Sequence, residues 1–386
     1  MAKVAAMAPA RRPTTPWVLF ACYGGLTFNR PQWSCRMVAP ISAEEKRAGF
    51  FAIGRDSFIA ASNLGINEAA AFVVLARGSG RDNVTTKWSA DAISGRIGVR
   101  WTTAKNALNH LVESEVVTVV RGSTRPAYLL ARYGDLIWLP NSVIDGDGPN
   151  AAPVTLLRQT QDQLLLRLFV ELYWQQNLRE DGGVSRNLTS MPYSREKMAQ
   201  RGRWTAWRFF DRAIRAAPSH PVVRAHFQPE VPDAERAAGK HEWSDYFRRF
   251  SALVSLGLMD WVPYLFEGPQ GEPIHPHSWM SDVGSEAELH EGCEAAALSI
   301  MPESQIARFK AEGGELAAVA SHIAEVQLIA IGRLSHRPAT RLTSAWGAEA
   351  EDKARQYIGQ YQQIIEVSKR SRLRRRPPES VGRHQG

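Results

Sequence analysis

Residues 97–112 read IGVRWTTAKNALNHLV, and this stretch decides the fold that the sequence predicts. Its first three residues predict a tight turn between two helices, because Gly98 tolerates the positive φ that such corners often need. From Arg100 onward, apolar residues recur every three or four positions, which predicts an amphipathic helix running to about Ser114. The apolar stripe consists of Ala104, Ala107, Leu108, Leu111 and Val112, and the opposite face carries Arg100, Thr102, Lys105, Asn106 and Asn109.

The segments around this stretch predict a winged helix-turn-helix domain. A buried helix, a short strand and a second helix precede the turn, and two strand-like segments follow the third helix. The polar face of the third helix carries side chains of the kind that bind phosphates and base edges in the major groove. Arg121 and Arg125, in the wing, would hold neighbouring phosphates. The predicted elements around the turn cover residues 68–77, 84–88, 90–96, 116–121 and 127–131.

A faint repeat predicts a second module of the same kind. The motif Asn83-Val84-Thr85 recurs as Asn187-Leu188-Thr189, and Trp101-Thr102-Thr103 recurs as Trp204-Thr205-Ala206. An apolar helix over residues 161–176 would open this module. The alternative is a single winged helix followed by an unrelated helical domain. The second recognition helix would carry Thr205, Arg208, Arg212 and Arg215.

Charge is unevenly spread along the chain, whose net charge is +8. Residues 1–36 carry five cations and no acid, and residues 369–386 carry seven cations against one acid. The body between them is therefore slightly acidic. Basic arms beside a globular body are typical of nucleic-acid contacts, although solvated tails are the alternative.

These patterns predict a mainly α fold with small β-hairpin wings, built from tandem winged helix domains and a C-terminal helical region. Met37 is a candidate native start, because the preceding residues are proline-containing and show no sustained period. The predicted divisions are a basic arm (1–45), a first winged helix domain (46–140), a second one with an insertion near 217–240 (141–280), a helical region (281–368) and a basic disordered tail (369–386).

Composition predicts a cytoplasmic, nucleoid-associated protein. The 386 residues include 44% hydrophobic and 22% charged ones, which is typical of globular chains. No apolar run approaches the roughly 18 residues that span a bilayer, so we expect no membrane partner. The three cysteines, Cys22, Cys35 and Cys293, have no paired spacing, which favours a reducing compartment.

One alternative is a metal-dependent enzyme that nicks DNA to begin replication. His275 and His277 have the spacing of a metal-binding histidine pair, and Tyr357 and Tyr361 have the spacing of paired nucleophiles. Such chemistry needs a broad sheet, which a mainly helical chain would lack. His290 and Cys293 show no paired spacing of the kind that structural zinc sites use. We therefore assign no catalytic residue, no metal and no cofactor.

The chain resembles a known family in residues 67–131. The motifs are Thr85-Thr86-Lys87-Trp88-Ser89, at the entry to the second helix, and Arg100-Trp101-Thr102-Thr103-Ala104-Lys105. With the repeat, the layout resembles plasmid replication initiators built from two winged helix domains.

The resemblance implies double-stranded DNA binding by a replication initiator or transcriptional regulator of a bacterial plasmid, phage or integrated element. In that family layout, the second module would read the major groove while the first adds contacts or dimerises, so a homodimer stays open. A winged helix scaffold that binds proteins is the remaining alternative.

Overall fold

The computed structural model describes residues 49–121, 126–147, 151–177, 183–217, 219–226, 242–279, 284–337 and 341–375. It is 48% helical and 26% strand, and its largest sheet is a curled half-barrel of six antiparallel strands. The prediction of a mainly α fold with small wings was therefore wrong. The predicted arm over 1–45, most of the insertion near 217–240 and residues 376–386 lie outside the described residues.

The elements of residues 66–130 follow the order predicted from the sequence: helix, short strand, helix, turn, helix and hairpin. Their three strands form one sheet in the order β2-β4-β3. A separate antiparallel pair, β1 with β5, packs beside them. The elements of this part are β1 (Phe50–Gly54), α1 (Arg55–Leu64), α2 (Ile66–Arg77), β2 (Thr85–Thr86), α3 (Ala90–Ile97), α4 (Trp101–Glu113), β3 (Val117–Arg121), β4 (Ala127–Leu130), β5 (Leu136–Pro140), α5 (Ser142–Asp145), α6 (Pro153–Gln159) and α7 (Gln163–Trp174).

The rest of the chain forms the half-barrel and the helices packed on it. Its strands run in the order β10-β7-β6-β11-β9, and β8 pairs with β6. The elements are β6 (Thr189–Arg201), β7 (Trp204–Arg212), β8 (Arg215–Ala216), α8 (Pro221–Arg224), α9 (Glu242–Ser255), β9 (Met259–Glu267), α10 (Gly284–Ile300), α11 (Glu303–Glu312), β10 (Glu315–Ala320), β11 (Val326–Leu334) and α12 (Arg341–Arg375).

The prediction of a second recognition helix was wrong, because residues 204–212 form strand β7. A tight hairpin joins β6 to β7, with Arg201 paired to Trp204 and Gly202 at a φ of 57°. The aromatic residues of β7 favour a strand. In a short apolar segment, the spacing of apolar residues is compatible with a helix or a strand, so the spacing alone does not decide between them. The prediction that residues 281–368 are helical fails for the same reason at β10 and β11.

Two large hydrophobic cores hold the described elements together, and a small third cluster lies between β9 and β11. The first lies around α2, whose residues Ala69 to Ala76 are buried on all sides, and it also receives α7 and α9. Helix α7, predicted to open a second module, is thus part of the first core. The second core lies between the half-barrel and helices α10 and α12. Those helices approach closely because Ala296, Ala297 and Ala354 are small and fully buried.

Candidate nucleic-acid interface

The turn between α3 and α4 has the geometry predicted from the sequence. Gly98 adopts φ 66° and ψ 40°, in the left-handed region, which confirms the role expected of it. Arg100 is the extended residue before α4, which begins at Trp101. This corner fixes the direction in which α4 leaves α3, and therefore which of its faces looks outward.

Helix α4 has one buried face and one exposed face. Ala104, Ala107, Leu108 and Leu111 are all buried in the first core. Val112 is partly buried and packs against the same core. The opposite face therefore meets solvent. The five side chains that we predicted to contact DNA from this helix are all exposed: Arg100, Thr102, Lys105, Asn106 and Asn109.

Two contacts stabilise the geometry of α4. The ammonium nitrogen of Lys105 lies 5.0 Å from the ring centre of Trp101, one turn earlier. Trp101 is 47% exposed, so its ring also belongs to the outer surface. Near the other end, His110 Nδ1 lies 2.9 Å from Glu68 Oε1 of α2. These contacts leave the polar face itself uncovered.

Not every cation near the helix-turn-helix is free. Arg77 Nε and Nη2 donate to Asp145 Oδ2 at 2.9 and 2.6 Å, and Arg96 Nε lies 3.8 Å from the other oxygen of that carboxylate. The guanidinium carbon of Arg96 also lies 3.6 Å from the ring centre of Trp88. By contrast, among the described residues no carboxylate lies within ion-pair distance of Arg100 or Lys105. Within that part of the chain, Arg100 and Lys105 therefore carry unpaired positive charge on the exposed face of α4.

The wing carries one predicted contact and an apolar surface that the prediction missed. Arg121 is exposed at the end of β3, whereas Arg125 lies outside the described residues. Val119, Val120 and Leu129 are 44%, 62% and 41% exposed. The sequence holds a signal for this surface, since residues 115–121 read EVVTVVR on a short strand with no partner predicted on one side.

Arg208 is not available for DNA, because it is buried within a network of charges. Its side chain is 7% exposed, and it donates to a carboxylate oxygen of Glu312 and, at 2.8 Å, to the carbonyl of Gly313. Glu196 lies 3.5 Å away on β6 and is also paired with Arg308 at 2.8 Å. The arginine thus joins the half-barrel to the end of α11.

The other predicted residues of the second module lie on strands and do not share a helical face. Thr205 is buried on β7, with its hydroxyl 2.9 Å from that of Ser321. Arg212 is exposed and donates to the Tyr193 hydroxyl at 3.2 Å. Arg215 is half-buried on β8, beside β6. The four residues therefore do not form one surface that could contact DNA bases: Thr205, Arg208, Arg212 and Arg215.

The residues of the nicking hypothesis do meet in the fold, where His275, His277 and Tyr361 are buried and the neighbouring Tyr357 is half-buried. His275 Nε2 and the Tyr361 hydroxyl are 2.5 Å apart, and each residue is 1% exposed. Burial lowers the pKa of His275 to about 3 and raises that of Tyr361 well above its ordinary value. His277 is 6% exposed, with Nδ1 lying 3.3 Å from Glu286. This arrangement packs the second core and gives a DNA strand no access to Tyr361.

The described residues include no cluster of three or more histidine, cysteine, aspartate or glutamate side chains placed to hold a metal ion. Within the same residues, no helix combines the length and apolar character needed to cross a membrane. No protein-family model, curated protein or solved structure matches the chain.

Proposed function

We propose that this protein binds double-stranded DNA through the exposed face of α4, as a replication initiator or transcriptional regulator of a bacterial plasmid, phage or integrated element. The observation that carries the proposal is the two-faced helix: its apolar stripe is buried, while Arg100, Lys105 and Asn109 face solvent. Arginine, lysine and asparagine are the side chains that pair most often with phosphates, guanine and adenine.

The charge around α4 supports this proposal over a neutral protein-binding surface. Arg100 and Lys105 have no acidic partner among the described residues, and Arg121 is exposed on the wing of the same sheet-and-helix unit. Arg370, exposed near the end of α12, adds a cation elsewhere, whereas the neighbouring Lys369 is paired with Glu366 at 3.5 Å. Thr205, Arg208, Arg212 and Arg215 do not form part of the proposed interface, since they do not share one exposed face.

Salt dependence tests the proposal directly. The full chain is titrated onto a labelled duplex of mixed sequence, and fluorescence anisotropy is measured at two salt concentrations differing fourfold. Each phosphate contact contributes a slope of about −0.9 in log K against log salt, so three contacts predict about a 40-fold loss of affinity. Affinity that stays level over this range would contradict the proposal.

A pair of matched variants then places the interface. Arg100→Glu with Lys105→Glu should abolish the binding, because it puts two carboxylates where phosphates would lie. Lys197→Glu with Lys310→Glu, at exposed lysines of β6 and α11, changes the net charge by the same amount and is the control, which should bind nearly as the wild type does. Equal losses in both variants would show that the attraction is diffuse and is not centred on α4.

A further inference from the structure

Strand β3 is an open edge of its sheet. The order β2-β4-β3 leaves one side of β3 without a neighbouring strand among the described residues. Thr118, Val119 and Val120 are exposed there, and the only charge on the strand is Arg121 at its end. Edge strands usually carry charges or proline that prevent pairing with another chain. The middle of β3 has neither.

The hydrogen bonds of the neighbouring strand show which backbone groups of β3 point outward. Ala131 N donates to the carbonyl of Val116 at 2.9 Å, and Leu130 N donates to Val84, toward β2. Since backbone groups alternate in direction along an antiparallel strand, Val116 and Thr118 face β4. The N–H and C=O groups of Val117 and Val119 therefore face away from the sheet.

The sequence of this edge is complementary to itself. Residues 115–121 read EVVTVVR, which is the same in both directions about Thr118 except that its ends have opposite charges. If two copies pair antiparallel about Thr118, Val117 of each lies opposite Val119 of the other. These are the residues whose backbone groups point outward, so both form hydrogen-bonded pairs. Glu115 lies in the turn before β3, at a φ of 59°, so Glu115 of each copy and Arg121 of the other flank the paired segment as opposite charges.

We propose that the protein self-associates through β3, with a second copy of the chain as the strand that completes the edge. The pairing joins two wing sheets into one continuous antiparallel sheet and places Val120 of each copy opposite Val116 of the other. The regular segment is short, because Glu115 lies in the preceding turn and a bulge interrupts β3 between Val119 and Arg121. A guanidinium has five N–H donors, so Arg121 keeps donors for a phosphate.

Self-association is measured without DNA, so its failure is separate from failure of the proposed function. In sedimentation velocity, the mass of the full chain should rise with concentration from 42.9 kDa toward twice that value. A mass that stays at the monomer value over the whole soluble range would overturn the proposal.

Charge exchange tests the register. Glu115→Arg or Arg121→Glu should each raise the dimer dissociation constant about 3–30-fold, because both ends of the symmetric pair then repel. The double variant E115R/R121E restores opposite charges across the interface and should return the constant to within about twofold of the wild type. Single variants that dimerise normally, or a double variant no better than the singles, would refute this pairing.

A cysteine placed on the axis gives a second measurement. Thr118 would face Thr118 of the other copy as a non-hydrogen-bonded pair with Cα atoms about 4.5 Å apart, within the range of a disulfide. In a chain with Cys22 and Cys35 changed to serine, Thr118→Cys should form a covalent dimer under mild oxidation. Thr85→Cys, exposed on the opposite edge strand β2, is the control. Cross-linking of the Thr118→Cys chain no faster than that of the control would reject the two-fold axis.

Discussion

The ammonium group of Lys105 lies 5.0 Å from the ring centre of Trp101, and both side chains are exposed on the outer face of α4. A cation over an exposed aromatic ring gains about 0.5–1 kcal/mol, which restrains the lysine without neutralising it. The contrast is Arg208, whose guanidinium is satisfied by the carboxylate of Glu312. Each of these cations stands four residues after the tryptophan of the repeated motif, yet one is exposed and the other is buried.

Lys105→Ala should weaken DNA binding by about 1–3 kcal/mol at a site whose base it contacts, and less on duplexes of unrelated sequence. The measurement is fluorescence anisotropy on a duplex selected from genomic fragments, compared with one of scrambled sequence. Lys197→Ala on β6 is the matched control. If Lys105→Ala binds both duplexes as tightly as the wild type does, α4 is not the helix that contacts the bases.

Arg208→Met should reduce stability and leave DNA affinity unchanged. The substitution keeps much of the apolar bulk but removes charged hydrogen bonds to Glu312 and Gly313, so we expect the free energy of unfolding to fall by about 1–3 kcal/mol. Chemical denaturation measures the stability and anisotropy the binding. A folded Arg208→Met variant that loses DNA binding would contradict this assignment.

Replacing the glycine at two nearby positions by alanine should change the stability of the protein in opposite directions. Gly98→Ala places a side chain at φ 66° and should cost about 1–2 kcal/mol of stability through backbone strain. Gly95 lies within α3, and the space that a Cβ would occupy there is open, so Gly95→Ala should stabilise the protein by up to about 1 kcal/mol. Thermal melts of the two variants check this. A destabilising effect of equal size at both positions would argue against the turn geometry.

Acid should destabilise the second core through His275. Burial lowers the pKa of this histidine from its ordinary value of 6.5 to about 3, so the folded protein keeps it neutral where the unfolded chain protonates it. Unfolding then takes up a proton in that window, and the free energy of unfolding falls by about 1.4 kcal/mol for each unit of pH lowered.

His275→Asn should remove this pH-dependent contribution to stability. Between about pH 3 and pH 6.5, the denaturation midpoint of the variant should therefore vary less with pH than that of the wild type. His226 provides an independent comparison in the first core, because burial lowers its pKa to about 3 as well. Parallel pH profiles for the wild type and His275→Asn would show that His275 is not held neutral by the fold.

Supercoiled DNA incubated with the protein and manganese should stay intact. Tyr361→Phe should instead lower the melting temperature, because it removes the hydroxyl that bonds His275 in the core. Agarose electrophoresis of the plasmid is the assay. If the protein nicks the plasmid and Tyr357→Phe abolishes the nicking, the protein is a DNA-nicking enzyme despite the burial of His275 and Tyr361.

Local pattern was enough to predict the helices and the hairpin of residues 66–130. The apolar stripe of α4, the left-handed Gly98 and the hairpin after it are each specified by residues close together in sequence. Local pattern did not determine the structure of residues 204–212, where aromatic and β-branched residues are compatible with either a helix or a strand. Pairing with β6 and β10, the latter about a hundred residues further along the chain, decided for a strand.

The sequence by itself determined the two-faced helix, its turn, the polar residues on its outer face and the self-complementary segment about Thr118. Those features depend on periodicity and on backbone preferences that act over a few residues. Only the tertiary structure decided that Arg208 is buried, that His275 meets Tyr361 and that β3 is an open edge. Each of these depends on contacts between distant segments, because burial and sheet order are set by what the whole chain packs against.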